Sequence, residues 1–203
     1  MRESELRFRE ILTGREDVTA VSEETVIRQC APTLAGIKTG NLFPCPYRSR
    51  EELTAEIRAV NRVLVPKGMC LLVLRYTEKS ALLYLFRPAE LQADLRDSVA
   101  REVLSEAGYP SCDCGVCIRK LIRRFQENGE FPHEIGLFLS YPPEDVKGFI
   151  DNHARNYKRM GLWKVYGDEE RAEKLFRRFT LCTEAYTRLW QRGRSLAQLA
   201  VAV

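Results

Sequence analysis

Cys70-Leu-Leu-Val-Leu-Arg-Tyr-Thr-Glu-Lys-Ser-Ala-Leu-Leu-Tyr-Leu-Phe86 decides the fold class of this chain. Two apolar runs, Cys70 to Tyr76 and Ala81 to Phe86, flank the polar stretch Thr77-Glu-Lys-Ser80. A connection this short between two strands predicts an antiparallel hairpin. Upstream, Leu53, Ile57, Val60 and Leu64 recur at helical spacing and predict a helix over Arg50 to Leu64. Ser49 can cap its start, with Glu52 three residues on as in a capping box, and Pro66-Lys-Gly68 stops it.

Downstream, Pro88 opens a helix whose buried side carries Leu91, Leu95, Val99 and Val103, and Gly108 ends it. A further helix is expected near Ile118 to Glu127, with Asn128-Gly129 as its stop. Glu134 to Leu139 reads as a third strand. Pro142-Pro143-Glu-Asp then starts a helix running to about Met160, with Glu144 and Asp145 as capping acids in its first turn. Leu162 to Tyr166 reads as a short fourth strand, and Asp168-Glu-Glu opens a long last helix. The expectation is an α/β or α+β fold: one domain over residues 1–203, with a mixed sheet of about four strands, one hairpin among them, flanked by helices.

An apolar share of 45% and a charged share of 30% are those of a soluble globular protein. The first residues, Met1-Arg-Glu-Ser-Glu-Leu-Arg-Phe-Arg, do not resemble a secretory leader. No aliphatic run is long enough to span a bilayer, and a cytosolic protein is expected. The formal net charge is only +4, from 32 basic and 28 acidic residues. The basic groups Arg119-Lys120, Arg123-Arg124, Arg188, Arg192 and Arg194 alternate with apolar helix positions, the pattern of a solvated face rather than of a nucleic-acid interface. Seven cysteines, an odd number, favour free thiols, a metal site or redox chemistry over a disulfide framework.

Glycine, proline and polar pairs are dense in two passages that read as halves of one site. One is Cys30-Ala-Pro-Thr-Leu-Ala-Gly-Ile-Lys-Thr-Gly-Asn-Leu-Phe43, the other Phe131 to Ile150. Cys30, with Pro32 beside it, is expected at a helix start, where unpaired N–H groups stabilise a thiolate. His133, leading an apolar run, would be the base, with Glu134 or Asp168 orienting it. The same segments suit a non-enzymatic module that holds a small polar molecule or a protein partner, with Pro32, Lys38 and Asn41 lining the site. Cys112-Asp-Cys114-Gly-Val-Cys117 offers a third site, three thiols able to hold zinc, copper(I) or an iron–sulfur cluster, with Cys30, Cys45 or a histidine completing the set.

Four ordered strings carry a family resemblance: Cys-Ala-Pro-Thr-Leu-Ala-Gly-Ile-Lys (30–38), Phe-Pro-His-Glu-Ile-Gly-Leu-Phe-Leu (131–139), Tyr-Pro-Pro-Glu-Asp-Val-Lys-Gly-Phe-Ile (141–150) and Trp-Lys-Val-Tyr-Gly-Asp (163–168). They resemble family 3793 of the domains of unknown function. The resemblance implies a bacterial protein, with relatives largely in anaerobes, and brings no activity with it. The Cys30 and His133 segments are also similar to papain-like cysteine enzymes, which implies a thiol-dependent hydrolase or transferase. The loop 112–117 lies outside the family pattern.

Overall fold

The computed structural model describes residues 21–127 and 131–202. The charged N-terminal segment and the Asn128-Gly129 stop lie outside the described residues. The chain falls into two compact units, residues 21–88 with 179–202, and residues 89–178.

The first unit is built on the expected hairpin. Strands β2 (Cys70–Tyr76) and β3 (Ser80–Phe86) pair antiparallel, and β1 (Gly40–Pro46) pairs antiparallel with the other side of β3. Every residue of the central strand β3 is buried. The sequence reading missed β1, whose Pro44 and Pro46 carry no N–H. That lack is tolerated because β1 is an edge strand. Helix α1 (Glu23–Leu34) is capped by Ser22, and α2 (Arg50–Leu64) by the expected Ser49, whose hydroxyl accepts from the Glu52 N–H at 3.1 Å. Gly68, at φ 76°, closes the turn after α2.

Ile27, Cys30 and Leu34 of α1 join Leu53, Ile57 and Leu64 of α2, Phe43, Leu71 and Leu83 of the sheet, and Leu196 and Leu199 in one apolar core. Arg87 sits at the edge of that core, 2% exposed. Its Nε donates to the Thr33 carbonyl at 2.8 Å, and its Nη2 donates to Leu34 and Val201 at 3.1 and 2.7 Å. The guanidinium thereby satisfies carbonyls that the end of α1 leaves without helical partners.

The second unit is mostly helical. The single helix expected after Pro88 is two, α3 (Pro88–Asp94) and α4 (Ser98–Glu106), because Asp97 restarts the chain by accepting from the Val99 and Ala100 N–H groups. Helix α5 runs Cys114–Gln126, so the cysteine loop is largely the helix's own first turn. The run expected as a third strand is instead a short helix, α6 (Ile135–Phe138). All of residues 134–139 are buried, and a short run buried on every side has no periodicity to separate strand from helix.

Helix α7 (Pro143–Asp151) stops well before Met160, since His153, Ala154 and Asn156 take left-handed backbone at φ 47°, 62° and 58°. The chain then makes a two-stranded antiparallel ladder, β4 (Arg159–Met160) with β5 (Lys164–Val165), where one strand was expected. The sheets are therefore antiparallel throughout the described residues rather than mixed. Helix α8 (Glu169–Gln191) runs through the boundary between the units, and a short α9 (Leu196–Leu199) follows it. No helix among the described residues is long and apolar enough to cross a membrane.

Candidate functional site: three thiols at a helix start

All seven cysteines are among the described residues and none is in a disulfide. Cys30 is not at a helix start. It lies well inside α1, fully buried, with Pro32 in the same helix. Burial pushes its thiol far above the ordinary range, and the nearby Lys38 ammonium only partly opposes this. The physical premise of the Cys30 nucleophile, a thiolate at the positive end of a helix, is absent. Lys38 is half-buried, its ammonium 5.6 Å from the centre of the Phe179 ring, and burial lowers its pKa to about 8 against the pull of Cys30. Asn41 accepts a 2.7 Å bond from the Thr33 hydroxyl, which ties β1 to the end of α1. Pro32 is buried.

The other expected residues belong to the second unit. His133 stands between the rings of Phe131 and Phe149, at 5.6 and 5.1 Å. Glu134 is buried, and its Oε1 accepts from Arg124 Nε at 2.8 Å and from the Tyr109 hydroxyl at 3.0 Å. That is the environment of a structural carboxylate, paired and hydrogen-bonded. Asp168 caps α8 by accepting from the Arg171 N–H at 3.0 Å. Asp145 is no helix cap. Its buried carboxylate accepts from Trp163 Nε1 at 2.7 Å and from the Tyr166 and Gly167 N–H groups at 2.7 and 2.8 Å, pinning the β4–β5 hairpin to α7.

The accessible thiol chemistry lies at the start of α5. Cys114 is the first residue of the helix and is half-buried, as is Cys112. Cys117, one turn on, is fully buried and donates its S–H to the Ser111 carbonyl at 3.1 Å. Burial first, and then the neighbouring Cys112, Cys114 and Asp113, push the Cys117 thiol up to about 12. Asp113 caps the helix through the Val116 N–H at 2.9 Å. Gln92 of α3 clamps the loop at two points: its Nε2 donates to the Cys112 carbonyl and its Oε1 accepts from the Cys114 N–H, each at 2.9 Å. Only one orientation of the amide satisfies both bonds. Among the described residues no three His, Cys, Asp or Glu side chains are arranged to hold a metal ion.

Sequence reasoning found the three thiols but missed Gln92 and Ser111. Asp113 was not read as a cap either, because the helix was expected to start near Ile118, although an aspartate is a common N-cap residue. Gln92 carries no signal, being a polar residue in a helical stretch until the fold places it under the loop.

Fold and site together define an α+β protein with a dithiol at the first turn of one helix. The chain belongs to the family described as Protein of unknown function (DUF3793), whose profile matches residues 26–200. No curated protein and no solved structure matches it.

Proposed function

We propose that this protein carries out thiol–disulfide exchange through Cys114 and Cys117. The observation that carries the reading is the pairing of an accessible cysteine at the first position of α5 with a buried one a turn later. Residues three apart on a helix face one another at about 5–6 Å between Cβ atoms, so the first turn must tighten by about 1–2 Å for the pair to form a disulfide. Because the Asp113 carboxylate already occupies the helix end, the case rests on accessibility and proximity rather than on the helix dipole.

In the exchange, the Cys114 thiolate attacks one sulfur of a small disulfide RS–SR, forming a mixed disulfide and expelling RS⁻, which takes up a proton. Cys117 then gives up its proton and attacks the Cys114 sulfur, expelling the second RS⁻. The protein dithiol is oxidised by two electrons and the disulfide is reduced to two thiols. Cys117 is the resolving partner because a buried, protonated thiol hydrogen-bonded to Ser111 cannot reach an incoming disulfide first. The same geometry favours Cys114 over the buried Cys30 as the seat of thiol chemistry. The clamp of Gln92 on Cys112 and Cys114 holds the loop in place for the second step.

The test is trapping. With Cys117→Ser, a small disulfide should leave a stable adduct on Cys114, seen as one added RS group in the mass of its peptide. The parent protein should carry no adduct and be lighter by two hydrogens. Adduct formation at the same rate on every half-exposed cysteine of the variant would contradict the reading.

A further inference from the structure

The 16 residues from Asn152 to Gly167 hold Arg155, Lys158, Arg159 and Lys164 and no Asp or Glu, so their formal charge equals the +4 of the whole chain. Among the described residues six large hydrophobic side chains are exposed, and three of them lie here: Tyr157 at 39%, Met160 at 45% and Leu162 at 52%. Clustering of exposed apolar side chains on a cationic hairpin marks a surface that meets something else.

The hairpin is braced. Lys158 N–H donates to the Val165 carbonyl and Gly161 N–H to the Trp163 carbonyl. The Asp145 carboxylate holds Trp163, Tyr166 and Gly167 from below. Gly161 lies so close to the Phe176 ring that a Cβ there would collide with it. The left-handed residues His153, Ala154 and Asn156 turn the chain out of α7 into this ladder, a costly backbone that the surroundings maintain. Met160 and Leu162, on either side of Gly161, are thus held outward on a rigid tip, which lowers the ordering cost of binding.

We propose that this hairpin docks the protein on an anionic lipid surface, with Met160 and Leu162 entering the headgroup boundary, Arg155 facing the anionic headgroups, and Lys158 and Lys164 adding positive charge behind the tip. Apolar tips backed by basic residues bind in this way through two signals, neither sufficient alone. Arg159 is excluded from the count because it pairs with Glu173. A nucleic acid fits less well. The two most exposed side chains, Met160 and Leu162, are aliphatic, and the exposed ring of Tyr157 already has the Lys164 ammonium over one face, 4.7 Å from its centre. The Lys158 and Lys164 ammoniums are held on the Gly167 and Ala154 carbonyls at 2.8 and 2.9 Å, so they set a fixed positive field behind the tip, suited to a diffuse anionic surface.

The test is cosedimentation of the full chain with vesicles of phosphatidylcholine and phosphatidylglycerol in equal parts, beside vesicles of phosphatidylcholine alone. The protein should sediment with the anionic vesicles only, less so at high salt. Leu162→Asp and Met160→Asp should each weaken binding by about tenfold or more. Both positions are exposed, so unchanged thermal melts would verify that the variants are folded. The proposal is overturned if the anionic vesicles leave the protein in solution, if both aspartate variants bind as the parent does, or if the hairpin variants lose binding to a single-stranded RNA homopolymer while vesicles are ignored.

Discussion

Cys117 donates its thiol hydrogen to the carbonyl of Ser111 at 3.1 Å, across the loop that carries Cys112 and Cys114. Burial keeps this sulfur protonated, and the bond aims it at the loop. Its two neighbours are half-exposed and held through the backbone by Gln92. The two members of the Cys114/Cys117 pair are therefore unequal, and their substitutions should have unequal effects.

Cys117→Ala removes a buried sulfur and leaves the Ser111 carbonyl without this partner, so it should cost about 1–2 kcal/mol. Cys114→Ser, at a half-exposed helix start, should stay within about 0.5 kcal/mol of the parent. Urea unfolding midpoints under reducing conditions measure both. Equal losses would contradict the asymmetry.

Arg87→Met should destabilise by about 3 kcal/mol or more, since the buried Thr33 and Leu34 carbonyls and the half-buried bond to Val201 lose a charged donor. Because Val201 is one of the acceptors, protease should also trim the C-terminal residues of the variant before the rest of the chain opens. Limited proteolysis read by mass spectrometry resolves the order of cleavage.

The pH dependence of Lys38 has a definite sign. Burial lowers its folded pKa to about 8, against an ordinary 10.5. Between those values the unfolded chain holds the extra proton, so this lysine makes stability rise with pH through that window. The thiols of Cys30 and Cys117, raised by burial from about 9, act oppositely: above that pH they ionise first in the unfolded chain and stability falls. Lys38→Met isolates the lysine. Its stability relative to the parent should be greatest below pH 8 and should decline toward pH 10.5. Parallel stability curves for the two proteins would rule out this assignment.

Asp145→Asn presents an NH₂ group where three donors converge, from Trp163, Tyr166 and Gly167, and the amide oxygen cannot serve all of them. A loss of about 2–4 kcal/mol is expected, together with altered tryptophan fluorescence. Fluorescence and stability both unchanged would mean that the carboxylate does not pin the hairpin.

The hairpin Cys70 to Phe86 and helix Arg50 to Leu64 were legible because alternating turn and cap chemistry bounds them locally. The stretch after Phe131 was not. Gly136 lies close enough to Val146 that a Cβ would meet it at 2.7 Å, so residues 135–138 are helical by virtue of what they pack on, which no local pattern encodes. Cys30 misled for a related reason. Pro32 suggests a first turn, yet here it sits inside α1, whose true start, Ser22 with Glu23 and Glu24, lies a full two turns earlier. The thiols at 112–117 were visible as a cluster. Their division into accessible and buried members depends on where α5 begins, and that was placed four residues too late.

The thiol pair and a metal site also differ in their response to chelation. Dialysis against a chelator under reducing conditions should leave the thermal midpoint and the number of titratable thiols unchanged. A lower midpoint would restore the metal reading of Cys112, Cys114 and Cys117.

The most direct measurement is a redox titration of the native protein in glutathione buffers, quenched by alkylation, with each cysteine peptide quantified by mass spectrometry. Cys114 and Cys117 should convert together, with a single midpoint and a disulfide-linked peptide, while Cys30, Cys45 and Cys70 remain thiols. Independent oxidation of Cys114 and Cys117, or a disulfide that pairs either one with Cys112 instead, would contradict the account.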